Sequence, residues 1–303
     1  MDRIWRVVEA SPRAALEQEL SPTDLQSLLL AVARTRASRV TAARVARRWQ
    51  EDRFVRPAVQ DPRRLIKIEA GLWAMLPDAF VGVELSPVVP LGTCCAVATV
   101  DQNRVVSTVR GTEVLSDPTN ALAVEAAWRR AHGARRSRVD MAACHRVLRA
   151  QTFDGPGLSA HFKLFALVST ARDAGSARVE ADMLTDHLRY WSRVLGKFVP
   201  TRRPRLVFTV FDAPVLAERF NDVIRPALAA EPSGVELVAD PARTQGAGYY
   251  QQAAIGLRAR DEGCEVDLGD GGITTWTATL LGDAKERCVV SCAATERLAA
   301  LSC

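Results

Sequence analysis

The sequence predicts an α+β chain, a largely antiparallel sheet with helices packed on it, preceded by a small helical region. In the middle and end of the chain, strand-like segments outnumber helical ones, and short turns such as 153–157 often link them. The first fifty or so residues, by contrast, carry helix caps and helical spacing with no strand pattern. At 303 residues, 48% hydrophobic and 25% charged, the chain is neither a disordered polymer, a collagen nor a small disulfide scaffold.

Taken in order, Ser21, Pro22 and Asp24 form a cap with proline in the first turn, ahead of Leu25, Leu28, Leu29, Leu30 and Val32. A second helix is predicted over 41–49, with Ala42, Ala43, Val45 and Ala46 interleaved with Arg44, Arg47 and Arg48. Solvated arginines on an amphipathic helix explain this pattern, and a basic helix set against a nucleic-acid backbone is an alternative. These helices make a front region, 1–60, and the remainder, 61–303, a second unit.

The second unit opens with a helix over 65–76 and a β-like stretch at 81–89. Strands are predicted over 94–100 and 105–115 around a polar connection at 101–104, and Asp117 caps a helix over 121–131. Further strands fall at 137–141, 146–151, 161–169, 206–210, 235–239, 249–259, 265–268 and 288–292. Helices are predicted over 178–196, over 214–230 with a less regular middle, and from 295 onward.

Lys and Arg number 40 against 35 Asp and Glu, and the arginines are spread along the chain, so the excess of +5 identifies no polyanion partner. The seven cysteines have no CxxC spacing, which favours a reducing, cytoplasmic setting over a zinc site. No run of 18 uncharged apolar residues occurs, and the start, Met1 to Arg6, has no apolar core of a signal peptide, so no membrane association is expected. The dinucleotide, P-loop, HExxH and GxSxG signatures are missing.

Arginines recur beside polar or aromatic residues in strand or turn context: Arg110 with Glu113, Arg149 with Gln151 and His161, Arg243 with Tyr249 and Tyr250, and Arg297 with Glu296. Guanidinium groups match phosphate oxygens bidentately and stay charged, so separated arginines in one cleft suit a triphosphate.

The stretch 146–165 resembles motif 2 of class II aminoacyl-tRNA synthetases, with an arginine on one strand, a variable loop, and an aromatic on the return strand. The resemblance implies that Arg149 holds an α-phosphate and Phe162 stacks on adenine, with Gln151 beside them. The stretch 288–298 is similar to motif 3, a small-residue strand passing into a helix, and gives Arg297 the γ-phosphate role. Ser291, Cys292, Ala293 and Ala294 stand where that motif usually has glycines.

Within the class, the histidyl-tRNA synthetase branch is nearest. Gln245-Gly-Ala-Gly-Tyr-Tyr250 looks like its Arg-Gly-Leu-Asp-Tyr-Tyr motif, and Asp270, Gly271 and Gly272 look like its glycine-rich turn. The segment 108–113 is similar to its Leu-Arg-Pro-Glu strand. By resemblance Gln245 occupies the place of a catalytic arginine, which Arg243 compensates, and Gly248 replaces an acidic residue. Glu113 would hold a substrate amino group with Thr112 beside it, and Tyr249, Tyr250, Gly271 and Gly272 would line the substrate pocket.

The resemblance implies ATP, Mg²⁺ and a homodimer whose motif 1 would fall in 65–90; Glu180 is a candidate metal ligand, and Arg172 with Asp173 a candidate site pair. Only five residues follow Leu298, so no anticodon-binding domain and no conventional tRNA charging are expected. The implied function is ATP-dependent activation of an amino acid or related carboxylate as an acyl-adenylate, passed on to a small molecule, a carrier protein or an RNA. The alternative is a non-catalytic paralogue that senses an amino acid or holds a partner enzyme, similar to the regulatory subunit of ATP phosphoribosyltransferase. His145 and His161 are expected to be solvated or to position loops.

Overall fold

The computed structural model describes residues 11–133, 137–151, 159–231 and 233–302. The turn expected at 153–157 lies outside the described residues. The front of the chain is helical: α1 (Ser11–Ala14), a π turn (Ala15–Glu19), α2 (Pro22–Ala37) and α3 (Ala42–Glu51). Ser21 Oγ accepts from Asp24 N at 3.1 Å and Thr41 Oγ1 from Arg44 N at 3.3 Å, so both predicted caps satisfy an otherwise orphan amide. Neither α2 nor α3 buries a side chain, whereas α4 (Pro62–Ala74) buries Leu65, Ile68 and Leu72.

The sheet follows from β1 (Val81–Gly82), β4 (Val139–Leu148), β5 (His161–Arg172), β6 (Arg205–Val210), β7 (Glu236–Ala239), β8 (Gln251–Asp261), β9 (Cys264–Thr274) and β10 (Glu286–Ala294). These eight strands lie in the order β1-β4-β5-β10-β9-β8-β6-β7. All the central pairs are antiparallel, and only the outer β1 with β4 and β7 with β6 are parallel. A separate ribbon pairs β2 (Val88–Pro90) with β3 (Thr112–Val114). Helices α5 (Thr93–Ala98), α6 (Pro118–Ala131), α7 (Arg178–Phe198), α8 (Pro214–Arg219), α9 (Arg225–Ala229), α10 (Trp276–Leu281) and α11 (Thr295–Leu301) complete the chain.

Strand alternation sorts the side chains into two layers. Ala142, Phe165, Leu167, Phe208, Ile255 and Val289 meet α7, which contributes Leu184, Leu188, Trp191 and Leu195. Phe165 packs edge-on against Trp73 of α4 at 4.8 Å, and the Tyr190 hydroxyl donates to Leu72 O at 3.0 Å, so α4 and α7 share one core. The opposite face presents Met141, Ala143, Ala166, Val168, Cys288 and Val290 to α6, with Trp276 of α10 in the same cluster. That face also carries the site.

Four readings of the sequence change. The predicted strand 94–100 is α5: Glu113, a buried side chain, accepts from Gly92 N at 2.9 Å and Cys94 N at 2.8 Å, and so fixes a helix start that local spacing does not announce. The strand predicted at 105–115 contracts to β3. Strands 137–141 and 146–151 are the single strand β4, which carries a half-buried His145 in mid-strand opposite Leu164. Strand 265–268 runs on to Thr274, and the six-residue α10, with no side-chain cap, follows it unannounced. The irregular middle of 214–230 is a π turn, Phe220–Ile224.

Candidate functional site

One row of paired residues crosses the α6 face of the sheet. Ala143, Ala166, Cys292, Asp270, Gly256 and Val207 follow one another through the registers of β4, β5, β10, β9, β8 and β6. Alanine, cysteine and glycine on most of this row leave a low floor, from which Asp270 is the only charge to project. A cleft of about 300 Å³ lies there, lined by Val100, Arg104, Ser116, Asp117, Asn120, Arg149, Gln151, Tyr249, Tyr250 and Asp270.

Arg149 follows β4 and Phe162 stands near the start of β5. Val147 pairs with Phe162, and Arg149 N donates to Ala160 O at 2.8 Å, so the two side chains share a face diagonally. The guanidinium carbon lies 5.1 Å from the ring centre. Its Nε donates to Ser116 O at 2.9 Å and its Nη2 to Asp117 Oδ2 at 3.3 Å. Asp117 is also the cap of α6, accepting through Oδ1 from Thr119 N at 2.9 Å and from its hydroxyl at 2.7 Å. A single carboxylate thus couples the start of α6 to the arginine.

Tyr249 and Tyr250 meet edge to face at 4.9 Å, and Tyr249 does the same with Trp276 at 5.7 Å. A Cβ at Gly272 would lie 2.7 Å from the Tyr250 ring, so glycine there lets the ring rest on the sheet. Burial first, then the charges of Asp117 and Asp270, pushes the Tyr249 hydroxyl well above its usual range. Burial also raises the Asp270 carboxyl, with Asp267 and Asp117 adding to the effect, while Arg243 and a hydrogen bond from Tyr250 oppose it.

The remaining expected site residues are distributed around this cleft. Glu113 lies under α5, where Gln102 Nε2 donates to it at 2.8 Å beside the two backbone amides. Burial opposes its charge, but these hydrogen bonds outweigh it and hold its carboxyl below the usual range. Thr112 pairs with Thr108 through their hydroxyls at 2.7 Å, in the β2–β3 ribbon. Gly271 sits on the α7 side of β9, against Ser291.

Arg243 and Gln245 line a second cleft of about 520 Å³, with Arg205, Arg258, Asp240 and Glu265. Arg243 Nε donates to Gln245 O at 2.9 Å and Nη1 to Ile255 O at 3.1 Å. A Cβ at Gly256 would stand 3.3 Å from the nearest nitrogens of both Arg243 and Arg258, which explains a glycine under them. Arg297 is exposed and donates to Asp267 O at 2.6 Å. Glu180, Arg172 and Asp173 line neither cleft: Arg287 bonds Glu180 at 2.7 Å and Asp173 at 2.9 Å, and Arg172 bonds Asp283 at 2.6 Å.

Sequence reasoning did not single out Asn120, Arg104 or the side chains of Asp117 and Asp270 as site groups. In the sequence Asp117 reads as a cap and Asp270 as part of a turn, and only strand register brings them to one cleft. His187 was also missed. It is wholly buried in α7, between Ser169 Oγ at 2.9 Å and Ser291 Oγ at 2.8 Å, and Trp191 Nε1 donates to the same Ser291 at 2.8 Å. Ser291, one of the residues standing where motif 3 usually has glycines, therefore faces the core.

Sheet order, a flanking long helix and a strand running directly into a terminal helix give this chain the fold of a class II aminoacyl-tRNA synthetase core. Within that class the similar structures include an apo S. aureus histidyl-tRNA synthetase, at 13% identity and a TM-score of 0.57, over 79% of this chain and 64% of that one. An ATP phosphoribosyltransferase regulatory subunit/histidyl-tRNA synthetase from Bacillus halodurans C matches at 11% identity and a TM-score of 0.61, over 82% of each chain. A histidine–tRNA ligase subunit from Alicyclobacillus acidocaldarius matches at 16% identity and a TM-score of 0.58, over 81% of this chain and 96% of that one. The chain thus spans about two thirds of the S. aureus enzyme, and at these identities the likeness is one of fold. No protein-family model and no curated protein matches the sequence.

Proposed function

We propose that the chain activates an amino acid or related carboxylate with ATP, forming an acyl-adenylate outside conventional tRNA charging. The observation that carries this reading is the pairing of Arg149 with Phe162, in which the arginine lines a cleft that also holds two tyrosines. A fixed guanidinium neutralises charge developing on an α-phosphate as a carboxylate attacks it, and a ring face offers adenine an apolar platform. Arg149, Gln151 and Phe162 fit the nucleotide end in residue type, and Tyr249 and Tyr250 fit the acyl end.

Among the described residues no group of three His, Cys, Asp or Glu is placed to hold a metal ion. Mg²⁺ would arrive with the nucleotide and would neutralise phosphate charge there. Arg243 and Arg297 lie outside the cleft of Arg149 and would reach phosphates only from its margin. The activated acyl group would pass to a small molecule, a carrier protein or an RNA. A cytoplasmic homodimer is the assembly that goes with this reading, and light scattering of the purified chain tests it.

Pyrophosphate exchange into ATP across a panel of amino acids and related carboxylates tests the activity. Exchange that depends on one carboxylate is the expected result; no exchange with any of them, together with no ATP binding, sinks the proposal.

A second reading, a non-catalytic paralogue that senses an amino acid or holds a partner enzyme, draws on a different observation. By resemblance Gln245 stands where a catalytic arginine would be, and the Arg149 fork is already engaged by Ser116 and Asp117. Amino-acid binding without any nucleotide turnover would favour it.

A further inference from the structure

The overall excess of +5 conceals a local one. Residues 34–56 hold eight arginines against Glu51 and Asp52, an excess of six that leaves the rest of the chain at −1. Arg34 and Arg36 lie in the last turn of α2, Arg39 in the connection after it, and Arg44, Arg47 and Arg48 in α3. Among the described residues none of these six forms an ion pair. Like charges gathered on one short segment repel one another, and an acidic partner relieves that repulsion.

The same two helices leave their apolar rows uncovered. Every residue from 31 to 51 is exposed. On α3, Val45 and Trp49 stand one turn apart, 55% and 49% exposed, beside the row of Arg44 and Arg48. On α2, the exposed Leu28 and Val32 share a row that Arg36 continues, with Leu29 next to it. Helices of ten and sixteen residues draw most of their stability from packing such a face, so this surface is built to be covered. The arm they form is rooted at the candidate site. Arg53 Nη1 donates to Gln151 O at 2.8 Å, its Nη2 bonds Ala150 O, and His161 Nε2 donates to Arg56 O at 2.6 Å. Gln151 lines the cleft two residues beyond Arg149.

We propose that α2 and α3 dock an acidic amphipathic helix of a partner protein, its apolar row on theirs and its carboxylates on the flanking arginines. An amphipathic helix is recognised by such a combination, apolar anchors for its buried face and opposite charge at the edges. Arginine suits the edges, because its fork meets a carboxylate with two bonds. A nucleic-acid backbone would match the charge and leave Val45, Trp49, Leu28 and Val32 in water. A second copy of this chain offers the reverse, apolar surface without the field, since outside residues 34–56 the chain is nearly neutral. The docking surface stands on the arm alone. That the docked protein accepts the acyl group, in place of an RNA or a small molecule, rests on the proposed carboxylate activation and on the root of the arm beside Gln151.

The test is fluorescence polarisation of labelled probes titrated with the full chain at physiological salt, without ATP. Two of the probes are peptides of about 18 residues, long enough to turn helical. One sets leucines at i, i+3, i+4 and i+7 among glutamates and alanines, and the other scrambles the same residues so that no apolar row forms. The third is an RNA duplex. The patterned peptide should bind at least about 10-fold tighter than the scrambled peptide and the duplex. Val45→Ala with Trp49→Ala, and separately Arg44→Gln, Arg47→Gln and Arg48→Gln together, should each weaken it about 10-fold. These five side chains are exposed, so both variants should keep the melting temperature, the pyrophosphate exchange and the oligomeric state of the native chain. Equal binding of the two peptides, no binding of either, or tighter binding of the duplex overturns the inference. So does co-sedimentation with vesicles of phosphatidylglycerol and phosphatidylcholine in equal parts, or a smaller oligomer in the Val45→Ala, Trp49→Ala variant, which would make a second copy the occupant. Peptide binding without exchange would leave the docking surface standing and sink the activation; exchange without peptide binding would do the reverse.

Discussion

Arg149 holds its guanidinium carbon 5.1 Å from the centre of the Phe162 ring, across the end of the β4–β5 pair. The contact depends on a planar cation, because the same group donates at once to Ser116 O and to Asp117. Arg149→Lys keeps the charge and loses that fork. For an adenylate-forming enzyme, pyrophosphate exchange should fall about 10²- to 10³-fold in Arg149→Lys, the usual effect of losing a preorganised electrostatic group. Phe162→Tyr should keep most of the activity and Phe162→Leu much less, with ATP affinity as the readout that separates stacking from charge. Unchanged exchange in both Arg149→Lys and Phe162→Leu would remove this pair from the chemistry.

His187 makes folding stability depend on pH. It is wholly buried, and its pKa is pushed down to about 3 by that burial, with Arg138 adding to the effect. An unfolded histidine titrates near 6.5. Below that value the unfolded chain takes up a proton that the folded chain refuses, so stability is fully present above pH 6.5 and is lost as pH falls towards about 3. The slope is about 1.4 kcal/mol per pH unit, or roughly 2 kcal/mol between pH 6.5 and 5. Urea unfolding at those two pH values should show this loss in the native chain. His187→Asn, less stable at neutral pH, should show a smaller difference between them.

Arg130 and Glu286 form the deepest ion pair among the described residues, with side chains 1% and 3% exposed, joining α6 to the start of β10. Arg130 Nη2 meets Glu286 Oε1 at 2.8 Å in a two-pronged contact. Removing one partner takes this counter-charge from the other buried group, at a cost of about 3–5 kcal/mol. Glu286→Gln should therefore lower the unfolding free energy from urea titration sharply, whereas the exposed pair of Arg13 with Glu17 should matter little: Glu17→Gln should change it by less than about 0.5 kcal/mol. Similar effects of the two substitutions would contradict the burial argument.

Caps were legible in the sequence because each is local: Ser21 and Asp117 lie two or three residues from the amides they satisfy. Long amphipathic segments such as α7 were legible for the same reason. The helix α5 was not, because the group that fixes its start, Glu113, lies 19 residues beyond Cys94. The site divides along the same line. Arg149 and Phe162 could be paired from a motif spanning one hairpin, whereas Asp270 meets Asp117 and Asn120 only through sheet registers and the placement of α6. No spacing in the chain encodes that meeting.

Gly272 offers a check on how the cleft floor is built. Its Cα faces the Tyr250 ring, and an added Cβ would sit 2.7 Å from ring carbons and 2.5 Å from Ala253 O. Neither neighbour gives way cheaply: the ring packs edge-on against Tyr249, and the carbonyl belongs to β8. Overpacking of this kind costs about 1–3 kcal/mol. Gly272→Ala should lower the melting temperature and, because Tyr250 must lift off the sheet, should also weaken binding of any ligand held beside it. The double variant Gly272→Ala with Tyr250→Ala separates the two effects, since truncating the ring removes Cγ and Cδ1 and leaves only the approach to Ala253 O. It should regain part of the stability lost in Gly272→Ala, measured against Tyr250→Ala alone, without regaining affinity. Recovery of affinity along with stability would mean that the Tyr250 ring contributes nothing to the ligand.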